Sequence, residues 1–283
     1  MTLAIPCYNG GETFPRVLEA VRRLEPAPME VVVVDDGSTD GSAAVAEEQG
    51  LRVVRHGFNR GLGAARNSAV VASRGEIIVF LDADCLPEPG LLGDLLAGFD
   101  APDVAGVGGR ELGAGAQPTL YDVWRLAFRP QTHGPEPRPD VWMLPGLCCA
   151  YRRSALAAVG GFDAFYRTNG EDVDAGVRLR ERGWKLRYRP GAGVTHVRRD
   201  GFRTLLGMCW RFGFWGAFAL ACNRHPALHL LRGQLRWTAV CAWSSWNRLG
   251  SSVLALASPC FGLAGLGGTV TGIVCGMIRG AMR

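Results

Sequence analysis

Four consecutive valines, Val31–Val34, run directly into Asp35 and Asp36, and no other feature limits the fold of this chain as tightly. A segment that is β-branched throughout and apolar on both faces fits a central parallel strand covered by helices on either side. The neighbouring sequence repeats the theme. Leu3–Pro6 reads as a short strand, after which Phe14, Val17, Leu18, Val21 and Leu24 recur at the three- and four-residue spacing of an amphipathic helix. A helix over 41–49, a strand at Arg52–Arg55, a helix over 62–73 and the strand Ile77–Leu81 extend a βαβ series in which each strand runs into Gly, Asn or Asp. The expected fold class is therefore α/β, with an open sheet whose ligands bind along the carboxyl ends of the strands.

Farther along, the prolines at 130, 135, 137, 139 and 145 mark residues 129–145 as a loop, suited to a mobile flap over a site. LPGLCCAYRRSALAAVGGF then reads as a buried strand, a short helix and a Gly-Gly turn. A helix over Glu171–Arg182 and strands near Leu186–Arg189 and Gly193–Val197 follow. From Gly201 the chain turns to long helical stretches holding five of the eight tryptophans, at 210, 215, 237, 243 and 246. Charge divides at the same place. The net +5 of the whole is the sum of −3 for residues 1–200 and +8 for 201–283, where eight arginines meet no Asp or Glu.

Residues 249–278 carry no charge at all, which exceeds the ~20 residues that cross a bilayer as a helix. Pro259 divides this run and leaves Cys260–Ile278 as the cleaner span. Within it and just past its end, Gly268, Gly272, Gly276 and Gly280 form a bare ridge where a second helix can approach, a homodimer partner being one candidate. Arg224, Arg232, Arg236 and Arg248 on one side of the run follow the positive-inside tendency, while Arg279 and Arg283 on the other weaken a simple single span and leave an interfacial or re-entrant helix open as well. Nine cysteines without CxxC spacing argue against structural zinc and a disulfide framework, and TLAIP at the start lacks the form of a signal peptide. The expected location is the cytoplasm, at the inner face of the cell membrane.

Several segments carry residues suited to chemistry. In VVVVDDGSTDGS, Asp35 and Asp36 stand at a strand end, either as turn and capping residues or as acceptors for a base or ribose. In EIIVFLDADC, Asp82 and Asp84 flank one residue after a strand, and two hard oxygens suit Mg2+ or Mn2+; an acidic turn is the alternative. In NGEDVDAGVRLRERGW, Glu171 and Asp172 enter the first turn of a helix, where they offset its dipole or, facing a cleft, supply a general base. His196 closes a late strand and is either structural or a metal ligand. NRGLGAARNSA matches neither GxxxxGK[ST] nor GxGxxG, which disfavours a Walker NTPase and a Rossmann dehydrogenase.

In their order and spacing, IPCYNGGETF, VVVVDDGSTDGS, NRGLGAARNSA, FLDADC, GGFD and GEDVDAGVRLRERGW resemble the family 2 glycosyltransferases of the GT-A fold, over about residues 2–215. The resemblance implies a mixed, mainly parallel sheet flanked by helices, with a catalytic domain over 1–200 and a helical apolar tail over 201–283. The nucleotide-binding half of that domain would cover about 1–110 and the acceptor half about 111–200.

It also implies a nucleotide-sugar donor, commonly a UDP-sugar, and a hydroxyl acceptor such as a lipid-linked or cell-surface glycan. Pro6, Tyr8 and Glu12 would line the nucleotide pocket, with Asp36 accepting from the base and Arg66 near the ribose or diphosphate. Asp82 would face the ribose or the metal's water shell, Asp84 and His196 would hold Mg2+ or Mn2+, and Asp172 would be the base of an inverting transfer. Gly146 and Glu171 would lie on the acceptor side. The QxxRW signature of processive synthases is missing after residue 200, which points to single-sugar transfer. The competing expectations are a catalytically idle sugar-nucleotide-binding scaffold and a membrane-tethered assembly protein. The +8 tail suits anionic lipid better than nucleic acid.

Overall fold

The computed structural model describes residues 1–224, 226–249 and 253–281, with the side chains of 240–249 and 253–259 excepted. Trp243, Trp246, Arg248, Pro259 and Arg283 are thus outside the described side chains. The chain forms two compact units, Met1–Ala116 with Gln131–Arg198, and Gln117–Pro130 with Arg199–Arg283.

The first unit opens with β1 (Thr2–Cys7), α1 (Phe14–Val21), β2 (Glu30–Asp35), α2 (Ser42–Glu48), β3 (Arg52–Arg55), α3 (Leu62–Ala72) and β4 (Ile77–Leu81). β5 (Cys85–Pro87), α4 (Leu91–Leu96) and β6 (Val104–Ala114) follow. After α5 (Leu120–Phe128), which belongs to the second unit, come β7 (Cys148–Arg152), α6 (Arg153–Ala158), α7 (Glu171–Glu181) and β8 (Lys185–His196). The strands make one sheet in the order β3-β2-β1-β4-β7-β6-β8-β5. The β3-β2-β1-β4 half is parallel, β7 runs antiparallel to β4 and β6, and β8 is parallel to β6. Alternation along the strands fills a core on each face. Leu3, Ile5 and Val33 pack with Phe14, Leu18 and Leu92 on one side, while Ala4, Val32 and Val34 join Ala65, Phe80, Tyr151 and Phe162 on the other.

The two late strands expected from sequence are a single β8. Its register slips between Tyr188 and Gly193 opposite Gly108 and Arg110, so Pro190, which has no N–H to give to a ladder, stands in an irregularity. β6 escapes a sequence reading because VAGVGGRELGA holds four glycines. Three of them, Gly106, Gly108 and Gly109, are required by close approach; a methyl at Gly109 would meet Ala192 O at 2.0 Å. The proline-rich segment after residue 130 is stitched to β8 instead of lying free as a flap. Arg138 and Tyr188 exchange backbone bonds of 3.0 and 2.9 Å, and Val141 N–H donates to Leu186 O at 2.7 Å.

The second unit gathers α5, α8 (Phe202–Cys222), α9 (Ala227–Leu249) and α10 (Val253–Ala281). Thr119 caps α5 in a reciprocal box with Asp122, whose second oxygen accepts from Asp200 N–H at 2.8 Å. Arg125 and Asp200 form a buried ion pair at 3.1 Å. Trp124, Phe128, Leu205, Met208, Cys209 and Phe261 make the core. Arg129 lies 3.6 Å above the Trp237 ring, whose N–H donates to Phe128 O.

The glycine ridge is covered from within the chain, which corrects its expected use as a dimer surface. Methyl groups at Gly268, Gly272 and Gly276 would lie 2.1, 2.2 and 2.5 Å from the carbonyl oxygens of Trp210, Phe214 and Phe218 on α8. α10 is also continuous through position 259. Phe202–Cys222 and Cys260–Ala281 are each long and apolar enough to cross a membrane, and about half of each is buried within the chain. The first of these, interrupted by Arg203 and Arg211, was not expected from the sequence.

Candidate active site

The carboxyl ends of β1 and β2 are level, Cys7 pairing with Asp35, so the loops after them meet. Asn9 N–H donates to Ser38 Oγ at 2.9 Å, Thr39 N–H to Asn9 Oδ1 at 2.8 Å and Gly11 N–H to Asp40 Oδ2 at 2.8 Å. Asp35 accepts from Ser38 N–H at 3.0 Å. The hydroxyls and carboxylates of DDGSTDGS thus brace the loop pair. Pro6 is buried at the end of β1, while Tyr8 and Glu12 are exposed above it.

Asp36 is 3% exposed, and its carboxylate accepts from Arg60 N–H and Gly61 N–H, both at 2.8 Å, and meets His56 Nδ1 at 2.6 Å. A carboxylate so engaged anchors the loop leading into α3, the first of the two uses expected of it.

The next strand end carries the carboxylate pair. Asp82 N–H bonds Leu147 O at 3.1 Å, and Val197 N–H bonds Asp84 O at 2.9 Å, which ties the turn between two partner strands. Pairing of β5 with β8 sets Cys85 opposite His196 and brings His196 Nε2 to 3.0 Å from Asp84 Oδ2. His196 Nδ1 lies 3.2 Å from Oε1 of Glu111, a residue of β6 that is wholly buried. A partly exposed carboxylate beside an imidazole whose far nitrogen meets a second carboxylate is a donor set that fits Mn2+ or Mg2+. The Cys85 Sγ is also within 4.8 Å of both ligand atoms, but burial pushes its thiol well up, which leaves Asp84 and His196 as the donors. Burial acts to raise the Asp84 pKa too; the His196 hydrogen bond and the charges of His196 and Arg198 outweigh it and hold the carboxylate below its ordinary range. Asp82 is pushed up to about 6 by burial, against the pull of Arg66.

The third group sits at the N-terminus of α7. Gly170 precedes the helix at φ +94°, a left-handed conformation natural to glycine, and starts it sharply enough to place Glu171 and Asp172 in its first turn. The segment before it is laced to the start of α3: Leu62 N–H donates to Arg167 O at 2.8 Å and Gly63 N–H to Tyr166 O at 3.0 Å. Gly61, at φ +96°, has no room for a methyl, which would stand 2.6 Å from Arg167 Cα.

Arg66 is the hub of a buried cluster. Expected beside the ribose or diphosphate, it is 1% exposed, its guanidinium 5.4 and 5.5 Å from the Phe80 and Phe162 rings. Nη2 donates to Gly146 O at 2.7 Å and lies 3.7 Å from Asp82 Oδ1, and Nη1 lies 3.2 Å from Glu171 Oε1. Asp172 adjoins this cluster, for a methyl at Gly146 would be 2.8 Å from Asp172 Oδ2 and 3.2 Å from Arg66 Nη2. Burial raises Glu171 to about 8 and also raises Asp172, with Arg66 resisting both. Glu111, His56 and the Gly146 carbonyl are site components that the sequence did not reveal. Nothing in GGRELG distinguishes Glu111 until β6 and β8 pair.

Residues 2–160 match the family model for glycosyl transferase family 2. A pre-mycofactocin glycosyltransferase of Mycobacterium tuberculosis is 33% identical over 269 residues, 90% of this chain and 56% of the relative, so the chain spans little more than half of that protein. An N-acetylglucosaminyl-diphospho-decaprenol L-rhamnosyltransferase from the same species is 31% identical over 226 residues, 67% of this chain and 73% of the relative. Among solved structures, the mannosyltransferase PcManGT of Pyrobaculum calidifontis, in complex with GDP-Man and Mn2+, superposes with a TM-score of 0.62 at 22% identity, covering 99% of this chain and 85% of that one. S. aureus TarS 1-349 with UDP-GlcNAc gives 0.56 at 18% identity, covering 94% and 90%. Both share the mixed, mostly parallel α/β architecture of this chain.

Proposed function

The chain belongs to glycosyl transferase family 2, and from that premise we propose that it moves a single sugar from a nucleotide-diphosphate donor, a UDP-sugar in the first instance, to a hydroxyl acceptor with inversion at the anomeric carbon. The observation that carries this reading is that Asp82, two residues before Asp84 of the Asp84–His196–Glu111 array, shares the Arg66 guanidinium with Glu171 in the first turn of α7, where Asp172 also stands.

Asp84 and His196 are the residues to hold Mg2+ or Mn2+, which when bound neutralises charge gathering on the departing nucleoside diphosphate. Pro6, Tyr8 and Glu12 border the nucleotide end, and Asp82 faces the ribose side. Asp172 removes the proton of the acceptor hydroxyl as that oxygen attacks from the face opposite the diphosphate. Gly146 and Glu171 define the acceptor side, Gly146 because only a hydrogen at that position leaves space beside the Asp172 carboxylate. The long apolar helices α8 and α10, together with the arginine excess after residue 200, support attachment of residues 201–283 to the cytoplasmic face of a membrane.

The test is turnover of radiolabelled UDP-glucose, UDP-N-acetylglucosamine and GDP-mannose by the full chain in detergent with Mn2+. Asp172→Asn is expected to retain donor binding and lose turnover by ~100-fold or more. Near-normal turnover in that variant would remove Asp172 from the reaction, and no metal-dependent turnover of any donor by the native chain would favour the idle scaffold.

A further inference from the structure

The cluster beneath Asp172 gathers more carboxyls than cations. Asp82 follows β4, Glu171 and Asp172 open α7, and Cys149 and Tyr151 on β7 face the same volume; the one guanidinium among them is Arg66 of α3. It is fixed rigidly, flanked by Phe80 and Phe162 with Nη2 on the Gly146 carbonyl. A side chain 1% exposed and enclosed in this way is held beneath the sheet edge. It lies near the base: one point at Gly146 is 2.8 Å from Asp172 Oδ2 and 3.2 Å from Arg66 Nη2, so the two atoms are no farther apart than those distances together.

We propose that Arg66 is the positioning residue of the base: from below the site it holds Glu171 and the Gly146 carbonyl and keeps the Asp172 carboxylate ionised. This rests on the reading of Asp172 as the base.

The other groups that face Asp172 leave this task to Arg66. Burial raises Glu171 to about 8 and holds the Cys149 thiol at about 12, so at neutral pH both stay protonated, as does the Tyr151 hydroxyl. Asp82 lies 3.7 Å from the same guanidinium and, being itself a carboxylate, cannot supply the positive charge. Taking away a cation this near a half-buried carboxylate raises the pKa of that carboxylate, and a buried lysine in the same sleeve restores the charge while losing the planar two-armed contact.

The experiment is a carboxyl-carbon NMR titration of the full chain in detergent micelles, labelled with [γ-13C]aspartate, the Asp172 signal being assigned by its loss in Asp172→Asn. Arg66→Met keeps the aromatic sleeve filled and is expected to raise the Asp172 midpoint by about one pH unit or more, with Arg66→Lys returning it most of the way to the native value. An unmoved midpoint in Arg66→Met, or the same displacement in the Lys and Met variants, overturns the proposal. Should Arg66→Met not fold, Gly146→Ala decides, because its methyl wedges between the two charges; a rise in the midpoint supports the proposal and no change overturns it. Turnover separates this inference from the reading beneath it. Near-normal activity in Asp172→Asn removes both, whereas loss of activity there with an unmoved titration in the Arg66 variants removes the Arg66 assignment alone.

Discussion

Glu111→Ala is the perturbation whose outcome follows most directly from distances in the site. The Glu111 carboxylate is wholly buried and meets His196 Nδ1 at 3.2 Å, while the other ring nitrogen faces Asp84 at 3.0 Å. A carboxylate in that place fixes which nitrogen carries the proton, directs the Nε2 lone pair toward the metal and makes it more basic. Its loss leaves a buried N–H without its charged acceptor, a cost of ~1–3 kcal/mol. The usual effect of removing such a partner on metal affinity is about 10- to 100-fold, which is ~1.4–2.8 kcal/mol and agrees with that figure. Glu111→Gln, which keeps an acceptor of the same reach, falls at the lower end. The assay is titration of the full chain with Mn2+, free ion being followed by its EPR signal, with a thermal melt on the same sample. Affinity within about twofold of native in a cooperatively folded Glu111→Ala would refute the argument.

Other outcomes test separate parts of the structure. Because Glu171 is raised to about 8 in the fold against ~4.3 in an unfolded chain, the folded state holds a proton that the unfolded one releases, and stability falls as pH rises through that window. Glu171→Gln should flatten that decline and melt above the native chain near pH 9, and parallel melting curves from pH 5 to 9 would count against it. Gly272→Ala puts a methyl 2.2 Å from Phe214 O, an immovable backbone atom, and should cost the helical unit ~1–3 kcal/mol in denaturant unfolding; an unchanged midpoint would contradict the packing described. Arg125→Met leaves Asp200 buried with a charge and should destabilise by ~3–5 kcal/mol, a loss that Arg125→Met with Asp200→Asn partly recovers.

The sheet's first half was legible because its strands are valine- and isoleucine-rich and stop at Asp, Asn or Gly, and because α1 shows a plain 3.6-residue period. β6 was not, since its glycines answer to Ala192, Tyr151 and Leu144, contacts that exist only after folding. The same division runs through the site. Asp82, Asp84, Asp172 and His196 stand at element ends, where sequence announces them, and the strand pairing brings Asp84 and His196 together. The burial of Arg66 and Asp36 was not legible, because a charged residue in a polar motif reads as surface until its neighbours are known. Glu111 was overlooked for the opposite reason, one acid within a strand that had no signature. The glycine ridge was seen, but a period of four specifies a close neighbour without saying whether the neighbour is another chain or α8.

The ridge has a consequence for the surroundings in which the helices can associate. Trp210, Phe214 and Phe218 meet α10 through their carbonyl oxygens, so the two helices touch backbone to backbone. Contact of that kind draws on dispersion and shape, and not on the release of water from apolar side chains. That part of the contact therefore depends little on whether the medium outside is water, detergent or hydrocarbon, whereas the core that Leu205, Met208 and Cys209 share with Phe261 gains its strength from water. A change of surroundings acts on that core and leaves the ridge contact largely as it is.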